Sequence, residues 1–165
     1  MSEAIEKAIN NQINEELFSA YLYLAIAADA GAKGYPGLQS WMTMQAQEEV
    51  DHAMRFYNFQ LERGGTVELK ALAKPEKKFG KPLDMFKAGL KHEKHITGCI
   101  HKLYELAEKE KDYPFMSFLK WFIDEQVEEE ATANEMIDKV KLVGDSGAQF
   151  YALDKELGMR KLGAE

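Results

Sequence analysis

Glu16, Glu49, His52, Glu93 and Glu129 are the residues best placed to do chemistry, because each interrupts a run of largely apolar residues spaced three and four apart. Glu16 falls in Ile9, Ile13, Glu16, Ala20, Tyr23, Ala27, and Glu49 and His52 in Leu38, Met42, Gln45, Glu49, His52, Phe56, Phe59. Glu93 falls in Phe86, Leu90, Glu93, Thr97, Ile100, Tyr104. Glu129 falls in Phe115, Phe118, Phe122, Gln126, Glu129, Ala133, Met136, Val140. Alternating steps of three and four mark the core-facing stripe of an α-helix. Each of four long helices therefore turns a glutamate inward near its mid-length.

Burying an ionised carboxylate without a partner costs several kcal/mol, and four in one core would also repel one another. The stripes hold no lysine or arginine to offset them. Two divalent cations would balance four carboxylates. Hard oxygen ligands with a single imidazole suit iron or manganese, whereas structural zinc prefers thiolates and more histidine. Glu49 and His52, at i and i+3, share a helix face and can reach one ion, with Glu16 completing its set. Glu93 and Glu129 would hold a second ion, Glu49 bridging the two. Tyr23, two turns beyond Glu16, can hydrogen-bond a ligand. Two metals roughly 3.5–4 Å apart with open positions can bind and reduce dioxygen.

Four long helices must position these groups. Pro36, Pro82 and Pro114 stand at the start of helix-favouring runs, where a missing N–H is tolerated. The pattern predicts helices over about 3–32, 36–63, 83–111 and 114–143, with Gly31 and Gly34, Gly64, and Gly144 as the stops. Ser146-Gly147-Ala148-Gln149 resembles a capping box and predicts a short fifth helix over 147–157. Short first and third connections make two antiparallel hairpins. The connection between the second and third helices is roughly 18 residues, as a crossover running the length of a four-helix bundle requires. The expected fold is all-α, in one domain over residues 1–165.

The net charge of −7 disfavours nucleic acid and acidic membranes as partners. The most apolar stretch, Leu17 to Ala28, is too short to span a bilayer, and the start lacks the pattern of a secretory signal. One cysteine, Cys99, allows no intramolecular disulfide and agrees with a cytoplasmic location.

The chain resembles the ferritin family, specifically its non-haem bacterial type. The matching stretches are Asn14-Glu15-Glu16-Leu17 to Tyr23, Ala46 to His52, Lys91-His92-Glu93, and Asp124 to Glu130. The resemblance covers essentially the whole chain, and implies a ferritin-like bundle with a long crossover between the second and third helices. It places a ferroxidase centre on Glu16, Glu49 and His52 for one iron and on Glu49, Glu93 and Glu129 for the other, with Gln126 and Tyr23 beside it. It maps a third iron site onto Glu48, Glu125, Glu128 and Glu129. It further implies Fe(II) oxidation by dioxygen or hydrogen peroxide, mineral storage, and a homo-oligomeric shell of twenty-four chains. Bacterioferritins carry a second Glu-x-x-His, where this chain has Gln126 and Glu129, and bind haem through a methionine where this chain has Val50; no haem is expected. DNA-protecting mini-ferritins and rubrerythrin-like peroxidases fit less well.

Blander readings compete at several positions. A lone glutamate on an apolar stripe is ordinarily a boundary residue reaching solvent, but four at mid-helix with a Glu-x-x-His are not. Glu130 reads as surface, as does His101. His92, His95 and Cys99 on the third helix could bind a soft metal, although helix-surface histidines are common. Lys74, Lys77, Lys78 and Lys81 read as solubilising the crossover. The rival function is a di-iron oxidase or peroxidase without storage, and a third is a purely structural bundle.

Overall fold

Proline and glycine punctuation sets the helices. In the computed structural model, which describes residues 1–161, these are α1 (Glu3–Ala32), α2 (Pro36–Glu62), α3 (Pro82–Lys109), α4 (Tyr113–Val143) and α5 (Gly147–Leu157), with no strand among them. The predicted domain span runs past the described residues. Ser2 Oγ caps α1 by accepting from the Ile5 N–H at 3.3 Å. Gly34, Gly64 and Gly144, just beyond α1, α2 and α4, have φ of 81°, 73° and 83°, which only glycine adopts freely. Two expectations fail. Gly31 lies inside the last turn of α1 with ordinary φ, and its missing Cβ instead makes room for Gln39. Ser146 precedes α5 but its side chain caps nothing.

Asp112 joins two elements. It accepts from the Phe115 N–H at 3.1 Å, capping α4, and from both Arg63 guanidinium nitrogens at 2.9 Å, holding the end of α2 against the start of α4. Such a bidentate pair is geometrically specific as well as strong. Helices α1 and α2 pack as one hairpin and α3 and α4 as another, with α1 against α3.

Residues 63–81 form the crossover, which is pinned along α1. Near one end Asn10 donates to the Thr66 carbonyl at 2.9 Å and accepts from the Glu68 N–H at 2.8 Å. Near the other, Asp29 accepts from the Phe79 N–H at 2.8 Å. Asn10 and Asp29 stand ~28 Å apart along the helix at ~1.5 Å per residue, so the crossover spans the bundle.

The apolar core is in two parts. One contains Ile5, Ile9, Ile13, Phe56, Ile96, Phe115, Leu119 and Phe122. The other contains Tyr23, Ile26, Leu38, Met42, Phe86, Ile137 and Phe150. The polar stripe positions lie between them. The α3 stripe is rotated from its expected position: Ile96, Leu103 and Ala107 are buried, while Leu90, Thr97 and Tyr104 are only half-buried. Phe59 and Phe118 are likewise half-buried, and Leu119 takes a fully buried place on α4. A period of 3.6 lets two adjacent faces serve equally well on paper, and Ile96 is larger and more apolar than Thr97.

Helix α5 docks on α2 through Asp154, whose carboxylate accepts from the Gly37 N–H at 3.0 Å and the Leu38 N–H at 2.8 Å. These are first-turn donors without intrahelical partners, and the helix dipole favours a carboxylate there. A Cβ on Gly37 would lie 1.5 Å from the Asp154 carbonyl oxygen, so this contact demands glycine.

Candidate metal centre

Glu16 enters the centre from α1, and Glu49 and His52 from α2. All three are buried, and one ligand atom from each lies within 4.8 Å of the others. His52 Nδ1 is 3.3 Å from Glu49 Oε2, while its Nε2 faces Glu125 Oε1 at 3.7 Å. Glu125 thus stands where a carboxylate fixes the orientation of a ligating imidazole. Gln12 donates to Glu16 Oε1 at 2.9 Å. Glu16 Oε2 and Glu49 Oε1 are buried with no hydrogen-bond partner among the described residues.

Glu93 and Glu129 belong to the same buried layer but are held by neutral donors. Tyr23 Oη donates to Glu93 Oε1, and Gln126 Nε2 lies 3.3 Å from Glu93 Oε2. Gln45 Nε2 donates to Glu129 Oε2 at 2.7 Å. Glu129 groups with His52 and Glu125 within 4.8 Å, not with Glu93. The structure therefore brings Glu16, Glu49 and His52 together directly. It leaves Glu93 and Glu129 as separately oriented carboxylates, with Glu93 near enough to both Glu49 and Glu129 to raise them.

The charges oppose one another without a cation. Burial raises Glu16 from 4.5 to about 7, against the lowering effect of His52. Burial followed by Glu93 raises Glu129 to about 8 and pushes Glu49 well above the carboxylate range. Burial would lower His52, but Glu125 and Glu49 overcome it and raise the imidazole to about 11. Burial, then Glu93, keeps the Tyr23 hydroxyl protonated and able to donate. Without metal the layer neutralises its carboxylates by retaining protons.

Beside the centre, Glu48, Glu125, Glu128 and Glu129 line one small cavity of about 150 Å³ with Thr132, Arg160 and Lys161. Arg160 reaches in from beyond α5. Its guanidinium donates to Glu48 Oε2 at 2.6 Å and Gln45 Oε1 at 2.9 Å, and lies 4.5 Å from the Trp41 ring centre. No stripe contains a basic residue, yet this chain brings one to Glu48 from outside the periodic segments. Sequence reasoning missed Arg160 and the role of Gln45; only Gln45, as a polar residue on the α2 stripe, carried a signal. Glu130 is also not simply surface, because it is half-buried and accepts from Thr97 Oγ1 at 2.7 Å.

Comparison with known proteins defines the class. The Ferritin family, a ferritin-like domain, matches residues 6–143. The chain belongs to that family, and its fold is the ferritin-like bundle with a short C-terminal helix. A bacterial non-heme ferritin of Staphylococcus haemolyticus is 38% identical over 100% of this chain and 99% of its own. One from Staphylococcus aureus strain MRSA252 is 38% identical with the same coverage. Among solved structures, an engineered closed form of the Archaeoglobus fulgidus ferritin superposes with a TM-score of 0.96 at 43% identity, covering 98% of this chain and 99% of that one. The open-pore ferritin of that archaeon gives 0.95 at 43% identity with the same coverage. At the level of the family the function is iron storage, and the chain carries carboxylate–histidine groups able to hold metal. No helix among the described residues is long and apolar enough to cross a membrane.

Proposed function

We propose that this chain oxidises Fe(II) at the buried carboxylate centre and stores the ferric product inside a homo-oligomeric shell, of twenty-four chains on the family pattern. The observation that carries the reading is the pair of orphaned oxygens, Glu16 Oε2 and Glu49 Oε1, in a layer of mutually repelling carboxylates. Unsatisfied acceptors in a closed core are costly, and a cation is the partner that satisfies both at once. The donor set of carboxylates with one imidazole fits iron.

Glu16, Glu49 and His52 hold the first Fe(II), and Glu49 with Glu93 and Glu129 the second. Tyr23, Gln126 and Gln45 aim the free carboxylate edges, so that ligands need little rearrangement when iron arrives. As iron enters, the protons retained by Glu16, Glu49 and Glu129 are released, together with the imidazolium proton of His52, which frees the ring nitrogen to ligate. The anionic ligands favour the higher charge of Fe(III), and the electrons pass to dioxygen or hydrogen peroxide. Glu48, Glu125 and Glu128, with Glu129, form the neighbouring third iron site, through which product passes toward storage. The reaction needs no haem, and the setting is the cytoplasm.

Iron retained in solution per chain after aerobic Fe(II) loading of metal-free protein tests this. Tens of ions per chain require a mineral cavity. Two or three would leave a di-iron oxidase or peroxidase without storage. None would remove the metal centre altogether.

A further inference from the structure

We propose that Glu15, His95 and Cys99 form a separate surface site for a divalent cation of the zinc type. His95 and Cys99 are four apart on α3 and share one face, and Glu15 projects toward them from α1. His95 Nε2 is 2.8 Å from Glu15 Oε2 and 3.6 Å from Cys99 Sγ, and the three ligand atoms lie within 4.8 Å of one another. Zinc–sulfur and zinc–nitrogen bonds of ~2.3 and ~2.05 Å at a tetrahedral angle place S and N ~3.6 Å apart. The Cys99–His95 separation already has that value. The carboxylate, drawn close by its hydrogen bond to His95, has to withdraw by about half an ångström.

The chemistry differs from that of the buried centre. One thiolate, one imidazole and one carboxylate form a mixed soft–hard set that suits zinc or cobalt better than Fe(II). Thiolate and carboxylate together neutralise a dication. Burial and Glu15 raise the Cys99 thiol, so the cation displaces its proton on binding; Lys102 opposes that rise and favours the thiolate. His95 is 54% and Glu15 36% exposed at the side chain, which leaves a route for the ion and a fourth position for water. His92, a ring neighbour of His95, is not part of the set, because its Nε2 is bonded to Ser19 Oγ at 2.7 Å. Glu15 and Glu16, adjacent on α1 and about 100° apart around it, thus point respectively to the surface cluster and to the buried layer.

Cobalt(II) added to the metal-free full-length protein reads this site alone, since Cys99 is the chain's one thiol. We expect a thiolate-to-cobalt absorption band in the near ultraviolet that saturates at the intensity of one cobalt–sulfur bond per chain and disappears in C99S. In H95A and E15Q, which keep the thiol, the affinity read from that band should fall at least ~10-fold. Zinc(II) should slow alkylation of Cys99 by iodoacetamide in the wild type and have little effect in H95A. Absence of the band, or a band of wild-type affinity in H95A, would overturn the proposal. Either result would leave the iron-loading experiment untouched.

Discussion

Replacing Glu16 with glutamine should make the metal-free protein more stable and the metal-loaded protein less so. Glu16 is fully buried and its carboxyl is raised from 4.5 to about 7. A carboxyl raised in the fold binds protons more tightly there than in the unfolded chain. The favourable proton uptake is complete below the unfolded value and lost as pH rises through the folded value. At about pH 8 the ionised side chain therefore costs the metal-free fold about 3 kcal/mol, at ~1.4 kcal/mol per tenfold change in proton affinity. Glutamine keeps the acceptor used by Gln12 and removes that cost, which is already net of the attraction to His52, but its amide N–H group is a buried donor that offsets part of the gain. A net gain of about 2 kcal/mol should raise the melting temperature by on the order of 5 °C. Near pH 5.5 the gain should shrink to about 1 kcal/mol, because the wild-type carboxyl is then already protonated. Calorimetry of metal-free wild type and E16Q at both pH values, with and without anaerobic Fe(II), measures all of this. Loss of stability in metal-free E16Q at pH 8, or an unreduced gain on adding Fe(II), would refute the reasoning.

The other expectations concern the centre, its basic neighbour and the docked helix. Metal-free wild type should lose stability steadily from about pH 5.5 to 9, because Glu16, Glu129 and His52 all have raised folded values, and iron should stabilise it most at the alkaline end; thermal melts across that range check the sign. Glu49→Ala removes the central carboxylate and should slow Fe(II) oxidation by on the order of 100-fold, whereas Glu128→Ala, exposed at the cavity rim, should change it less than ~10-fold; stopped-flow oxidation rates that match would refute the assignment. Arg160→Gln leaves Glu48 without its counter-charge and should tighten cation binding in the adjoining acidic cavity by roughly 10-fold, read by calorimetric titration. Asp154→Ala strips two N–H groups of α2 of their acceptor and should cost about 2 kcal/mol in denaturant unfolding.

The long helices and the inward glutamates were legible because both are statements about period. Glu16, Glu49 and Glu93 could be placed on inward faces from local spacing alone, and each is buried. Rotation of a helix was harder to read. On α3 the faces through Ile96 and Thr97 satisfy the period equally, and packing against α1 and α4, which favours the larger apolar Ile96, selects between them. The cluster on the outer side of α3 was half-visible: His95 and Cys99 share a face as their spacing requires, but His92 turned to Ser19 and Glu15 replaced it. Arg160 and Asp154 were not legible. Each acts across more than a hundred residues, on a partner that only the completed fold brings near.

That remoteness has a kinetic side. The two hairpins close through contacts between helices adjacent in the chain, but Asp154 meets Gly37 across 117 positions. Closing so large a loop before its ends are held is entropically unfavourable, and contacts of such separation form late. On the ribosome the α1–α2 hairpin emerges long before Asp154 is made, so the N-terminus of α2 waits uncapped until the last segment arrives. Arg160 follows six residues behind Asp154 and meets Glu48 across 112 positions. Glu48, on α2, is thus open to cations before its own arginine reaches it.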